Sequence, residues 1–157
     1  MPKVLIIMGS KNDFSIAEKA VEIFKKFNIE NEVVVASAHR TPKRVEDLVK
    51  ETDAEILIAI AGLSAALPGA VASATIKPVI GVPVSGKINL DALLSVVQMP
   101  PGIPVAAVGL DRGENAALLA IQMLSISNAG LRDRLLEYRE EMAAKVIKDS
   151  EEVHLHV

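Results

Sequence analysis

Five short aliphatic runs recur along the chain, and their alternation with segments of helical spacing narrows the fold more than any other feature. The runs are "KVLIIM" (3–8), "EVVVA" (32–36), "ILIAIA" (56–61), "PVIGV" (78–82) and "PVAAVG" (104–109). Each reads as apolar on both faces, the pattern of strands in a parallel sheet covered by helices on either side. Between them, Ile16, Ala20, Ile23, Phe24 and Phe27 share one helical face, and Val45, Leu48 and Val49 share the next. Pro42 suits the first position of that second helix, with Thr41 as its N-cap. A βαβα order with right-handed crossovers predicts one doubly wound α/β domain, flavodoxin-like or Rossmann-like. After residue 112 the pattern is helical only: "GENAALLAIQMLSIS" and then "AGLRDRLLEYREEMAAKVIKDSEE". The second of these repeats Leu131, Leu135, Tyr138, Met142 and Val146 on one face. That face either closes the helix onto its own domain or docks it on a neighbouring subunit.

Composition sets the kind of core and excludes several functions. Half of the 157 residues are hydrophobic but only 3% are aromatic, so the core is built from aliphatic and small side chains. A mean hydropathy of +0.35 is high for a soluble monomer and points to apolar surface hidden in an oligomer. The net charge of -3 and the lack of a basic block argue against nucleic acid as a partner. Without cysteine there is no disulfide, thiolate nucleophile or cysteine metal site. Residues 56–76, "ILIAIAGLSAALPGAVASATI", are uncharged and long enough to cross a bilayer. Pro68-Gly69 and the small residues in the middle favour a buried strand, a loop and a short helix instead. The apolar run near the N-terminus is too short for a signal peptide, so a cytoplasmic protein without a membrane segment is expected.

In an open parallel sheet, ligands bind beyond the C-terminal ends of the strands. Three loops of interest are expected there. "MGSKND" (8–13) places Gly9 and Ser10 after the first strand, with Asn12 or Asp13 at the start of a helix. Backbone N–H groups and a serine hydroxyl suit a phosphate, and a carboxylate suits ribose hydroxyls. The same residues also make an ordinary turn and N-cap, and neither glycine-rich nucleotide fingerprint is present. "SAHRTP" (37–42) carries more chemistry: Arg40 offers a planar fork for phosphate or carboxylate, and His39 can give or take a proton near neutral pH. A structural histidine is the competing reading, and the adjacent Arg40 and Ser37 favour function. "AGLSAALPG" (61–69) has almost no side-chain chemistry, but its small residues allow backbone amides close to a ligand, or tight helix packing. No His/Asp/Glu cluster has metal-ligand spacing, and "HLHV" at the C-terminus reads as a tail rather than a site. From the residues alone, this is a crevice for a small phosphorylated, ribose-bearing ligand with one acid/base histidine.

"MGSKND", "SAHRTP", "AGLSAALPG", "GVPV" and "LDALLSVVQMPPGIPVAAV" occur in the order and approximate spacing of the aminoimidazole ribonucleotide carboxylase family. The chain resembles its class I members, the N5-carboxyaminoimidazole ribonucleotide mutases, over roughly residues 3 to 140. The resemblance implies a single three-layer α/β/α catalytic domain over residues 1–157, with a parallel flavodoxin-like sheet. Its C-terminal helix, 130–150, would reach onto neighbouring subunits of a homo-octamer. The implied reaction belongs to purine biosynthesis and moves a carboxylate from the exocyclic nitrogen of the aminoimidazole to ring carbon C4, without metal, ATP or biotin. CO2 would be the enclosed intermediate, and an ATP-dependent carboxyaminoimidazole ribonucleotide synthetase would supply the substrate. Carried over by motif, Gly9, Ser10, Asp13, Ser37 and Arg40 would bind the nucleotide, and His39 would be the general acid/base. Ala61, Gly62, Ala65 and Leu67 would also bind the substrate, in the small-residue loop 61–69 that would wall the CO2 from water.

Two departures stand out. The third loop of class I members reads A-H-L-P-G, whereas here it is Ala65-Ala66-Leu67-Pro68-Gly69, so Ala66 stands where the family has a histidine. The segment "SGKINLD" (85–91) is also shorter than usual and is expected to be a loop. The first departure opens a rival reading, direct carboxylation of aminoimidazole ribonucleotide with CO2. A non-catalytic nucleotide-binding or assembly module is the rival from another class. Carboxylation of a pyridine nucleotide is a third reading, disfavoured because such enzymes usually carry an extra N-terminal region that this chain lacks.

Overall fold

The computed structural model of the chain describes residues 3–155. Five parallel strands, β1 (Val4–Met8), β2 (Asn31–Val35), β3 (Ile56–Ala61), β4 (Val79–Pro83) and β5 (Ala106–Ala107), form one sheet in the order β2-β1-β3-β4-β5. The intervening helices are α1 (Phe14–Lys26), α2 (Pro42–Glu51), α3 (Leu67–Ser73) and α4 (Asn89–Val97). Helices α5 (Gly113–Ser125) and α6 (Ala129–His154) follow. This is the flavodoxin-like order, with its topological switch point between β1 and β3. Contacts divide the chain into two compact units, one running to Ala120 and the other starting at Ile121.

The central strands β1, β3 and β4 are buried along their whole length, as continuous aliphatic runs require. Alternation along each strand then assigns residues to the two faces. Leu5, Ile7, Leu57, Ala59 and Val79 pack with Val45 and Val49 of α2, Leu67 and Val71 of α3, and Ala92 and Val96 of α4. The opposite parity, with Val4, Ile6, Ile58, Ile60 and Ile80, is also fully enclosed. Apolar burial of this kind contributes about 1.5–3 kcal/mol per large side chain. Small residues set how closely the layers approach. A Cβ on Gly81 would lie 2.5 Å from Val96 Cγ1 and 3.1 Å from Val105 Cγ1, so glycine there lets α4 press onto β4. A Cβ on Gly113 would fall 2.0 Å from the Ile16 carbonyl oxygen, so α5 starts directly against α1.

The edge strands depart from the sequence expectation. β2 is not buried on both faces: Glu32 and Val35 are exposed and the rest is half-buried, because β2 pairs with β1 alone. The fifth strand shrinks from the expected 104–109 to Ala106–Ala107. Pro100, Pro101 and Pro104 supply no N–H before it, and it too has a single neighbour. Residues 89–91 of the segment expected to be a loop open α4, and the Asn89 side chain accepts the Gly86 N–H at 2.9 Å. The uncharged stretch 56–76 resolves into β3, a loop and the seven-residue α3. Among the described residues no helix is long and apolar enough to cross a membrane.

In the second unit, the Asn128 side chain caps α6 by accepting the Leu131 N–H at 3.1 Å. Leu131 is buried and Leu135 and Tyr138 are half-buried, whereas Met142 and Val146, on the same recurring face, are exposed. His154 ends the helix, and His156 lies outside the described residues.

Candidate active site at the C-terminal rim of the sheet

Every βα loop leaves the sheet at the same edge, and backbone hydrogen bonds continue past the strand ends to link one loop to the next. The Ala36 N–H donates to the Met8 carbonyl at 2.9 Å, Gly9 to Ile60 at 3.1 Å, Val84 to Ala61 at 3.0 Å and Asp111 to Pro83 at 2.9 Å. The order of these bonds is the order of the strands, so all five loops are held along one rim. The loops after β1 and β3 flank the switch point, where the chain runs off in opposite directions and leaves a crevice.

The loop after β2 is the most polar of them. Thr41 occupies the N-cap position of α2, but its hydroxyl makes no capping bond to the helix. Instead it turns back, accepting the Ser37 N–H at 2.9 Å and donating to the Ser37 carbonyl at 3.2 Å. The expected cap is therefore a clamp on the loop, since Ser37 and Thr41 already face each other across one turn. Ser37 Oγ accepts from the Arg40 N–H and from Arg40 Nε, both at 3.2 Å. Arg40 then reaches across the rim, donating to the Gly9 carbonyl at 2.8 Å. One guanidinium thus ties the loop after β2 to the loop after β1 and keeps a cation beside the switch point. His39 is exposed, and among the described residues its imidazole makes no hydrogen bond.

The loop after β1 is a single 3₁₀ turn, Lys11–Asp13, capped by Ser10, whose Oγ accepts the Asn12 N–H at 3.2 Å. Asp13 stands at the N-cap position of α1, yet its side chain makes no capping bond to the helix. Burial pushes the Asp13 carboxyl above the ordinary range, the Asp111 charge adds to that, and the Ser10 backbone N–H pulls the other way.

The loop after β3 offers backbone and space. Ala61, Ala65 and Leu67 are buried in the core cluster, so their side chains pack inward. Gly62 and Ala66 are half-buried, Leu63 and Ser64 are exposed, and Ser64 holds a left-handed φ of 53°. Among the described residues no group of three or more His, Asp or Glu side chains is arranged to hold a metal ion. A cavity of ≈ 250 Å³ lined by Leu5, Glu32, Leu48, Glu51, Thr52 and Asp53 involves none of the rim loops.

The rim also contains residues that loop-by-loop sequence reading passed over. Asp111, in "VGLDRGE" after β5, accepts the Ser85 N–H at 2.8 Å and also bonds the Ser85 hydroxyl. The available signal was positional: a Gly-x-Asp-x-Gly turn directly after the fifth strand belongs to the same edge as the other loops.

A flavodoxin-like sheet with a polar, histidine-bearing crevice at its switch point defines a small-molecule-binding α/β protein. The chain belongs to the AIR carboxylase family, whose model matches residues 3–145. It is 60% identical to the N5-carboxyaminoimidazole ribonucleotide mutase of Methanocaldococcus jannaschii, over 96% of either chain. The enzyme of that name from Saccharolobus solfataricus is 51% identical, over 94% of this chain and 96% of its own. Among solved structures, PurE from Treponema denticola superposes with a TM-score of 0.86 at 35% identity, covering 95% of this chain and 96% of that one.

Proposed function

We propose that the chain is an N5-carboxyaminoimidazole ribonucleotide mutase of purine biosynthesis, working at the rim crevice as a single catalytic domain. The observation that carries this reading is the Arg40 bridge. It draws Ser37 and Gly9, the neighbour of Ser10, together around a fixed cation and leaves the adjacent His39 imidazole unengaged. Arg40, Ser10 and Ser37 suit the phosphate end of the nucleotide, and the uncapped Asp13 carboxylate suits its ribose hydroxyls. The small-residue loop after β3 encloses the reacting carbon. Leaving the exocyclic nitrogen, the carboxylate departs as CO2 while that nitrogen gains a proton. Carbon C4 then attacks the CO2 and gives up its own proton to restore the aromatic ring. One proton is supplied and one removed, so a single imidazole, His39, can do both, and enclosure keeps the CO2 within reach of C4.

Several further features follow from this reading. Exposed Ile88 just before α4, Leu90, Leu94 and Val97 along it, and Met142, Val146 and Ile147 along α6 support assembly into a homo-octamer, in which α6 packs on neighbouring subunits. The enzyme works in the cytoplasm beside an ATP-dependent synthetase that makes the labile carbamate, and it binds no nucleic acid.

Ala66 favours a second reading, direct carboxylation of aminoimidazole ribonucleotide with CO2, because the family's second site histidine is missing. A paired assay separates the two: purified protein is given the carbamate nucleotide, or aminoimidazole ribonucleotide with CO2, with and without A66H. The mutase reading expects fast turnover of the carbamate only; fast turnover with CO2 alone defeats it. Nucleotide binding with no product from either substrate would leave a non-catalytic binding module.

A further inference from the structure

Asp111 joins three segments of the rim through three different groups. Its N–H donates to the Pro83 carbonyl at the end of β4, at 2.9 Å. Its carboxylate holds Ser85 in the loop after β4, through the backbone N–H and the hydroxyl. Its carbonyl accepts from Lys19 Nζ at 3.2 Å, and Lys19 lies on α1, the helix that Asp13 opens. Asp111 sits at a left-handed φ of 60°, strained for any residue with a Cβ, and Asp is among those that tolerate it best. Two residues further on, Gly113 packs against the Ile16 carbonyl. The first turns of α1 are therefore pinned at two points to residues 111–113, and through Asp111 to the loop after β4.

We infer that Asp111 is a positioning residue for Asp13: it fixes where the Asp13 carboxylate stands at the rim, and through it the affinity for the ribose hydroxyls of the nucleotide. This rests on the reading of Asp13 as the ribose-binding acid. Besides the geometry, the Asp111 charge adds to burial in holding the Asp13 carboxyl up. Other charged groups at this end of the sheet are Lys11 in the turn, Lys19 on α1 and Lys87 in the loop after β4. Arg40 lies on the Gly9 carbonyl, and Arg112 pairs with Glu114 at 3.4 Å at the start of α5. A substitution at residue 111 leaves the charge of each of these groups in place.

The test is the affinity for the carboxylated product, 4-carboxy-5-aminoimidazole ribonucleotide. It is titrated by calorimetry from about pH 4 to pH 8 in wild type, D13N, D111N, D111G and S85A. The ligand's own phosphate titrates identically in all five, so differences between proteins report the protein groups. Asparagine keeps one acceptor for the Ser85 N–H and tolerates the left-handed backbone, so D111N tests the charge. Glycine keeps the backbone and loses both bonds to Ser85, so D111G tests the anchor. In D111N the acid limb of binding should move to lower pH, since Asp13 ionises more readily without the neighbouring charge. D111G should bind about tenfold more weakly, with turnover little changed, S85A should lose part of that, and D111N should retain most of the affinity. If D13N weakens binding while D111N and D111G bind like wild type at every pH, Asp111 has no such role. A D111G loss matched by an equal loss of turnover and melting temperature, with no shift in D111N, would also overturn it. Wild-type binding by D13N would remove the ribose reading of Asp13 itself.

Discussion

The loop after β2 and the loop after β3 leave the same edge of the same sheet, yet they are built in opposite ways. The first, Ser37 to Thr41, is a closed set of side-chain hydrogen bonds that ends on the Gly9 carbonyl. The second, Ala61 to Ala66, is held by backbone: Ala65 donates to the Gly62 carbonyl at 3.1 Å, and Ala61 accepts from Val84 at 3.0 Å. Polar residues on a loop fix groups that act on a ligand. Small apolar residues fix a space and a strained backbone, which no polar side chain is needed to maintain. On the proposed reading, a site that binds an anion and also confines a small neutral molecule calls for both kinds of loop, here on either side of the loop after β1.

The largest effect should come from the polar loop. H39N should lower turnover by about 10²- to 10⁴-fold while nucleotide binding stays close to wild type; measured kcat and ligand affinity check this. Normal turnover by H39N would show that the polar loop binds without reacting, and the contrast between the loops would lose its chemical meaning. R40A removes the bridge to Gly9 as well as the cation, and should weaken nucleotide binding by about 10- to 100-fold. R40K, which lacks the planar fork, should recover only part of that in calorimetry.

In the small-residue loop, the effect should fall on stability instead. Ala65 is fully buried, so A65L overpacks the core and should cost about 1–3 kcal/mol in denaturant unfolding. S64G should do the reverse. Glycine adopts the left-handed backbone of Ser64 without strain, so stability should rise by up to about 1 kcal/mol. Loss of activity in S64G at unchanged stability would mean that the Ser64 hydroxyl acts on the ligand, and the two loops would differ less than their hydrogen bonds suggest.

The smallest effect concerns pH. Asp13 has a raised carboxyl in the folded chain, chiefly from burial. Between the ordinary aspartate value of 3.8 and its raised value, the folded state holds more of this proton than the unfolded state does. Rising pH through that window therefore removes stability. D13N should abolish this dependence, leaving a protein slightly more stable than wild type at neutral pH but not at strongly acidic pH, in melts run at both.

Much of this is legible in the sequence alone. Val4–Met8, Ile56–Ala61 and Val79–Pro83 are central strands, and a strand with helices on both faces has to be apolar throughout, so the sequence marks it plainly. The edge strands were misjudged because an edge needs only one apolar side, and the short apolar runs of β2 and β5 do not say which neighbours they have. The polar candidates Ser10, Asp13, Ser37, His39 and Arg40 stand out because each lies within five residues of the end of a strand. Asp111 and Ser85 did not, since neither is unusual in its own segment and only their meeting gives them a role.

By itself, then, the sequence determined the class of fold and the edge at which the βα loops gather, because periodicity and βα order are local properties that each segment carries alone. It also carried the family likeness, and with it the substitution of Ala66 for a histidine. Tertiary structure alone decided which groups meet: that Thr41 clamps Ser37 instead of capping α2, that Arg40 spans to Gly9, and that Asp111 gathers β4, its following loop and α1. Each of those contacts joins groups whose separation is set by strand order, or by a choice between competing hydrogen-bond partners. Local sequence specifies neither of these.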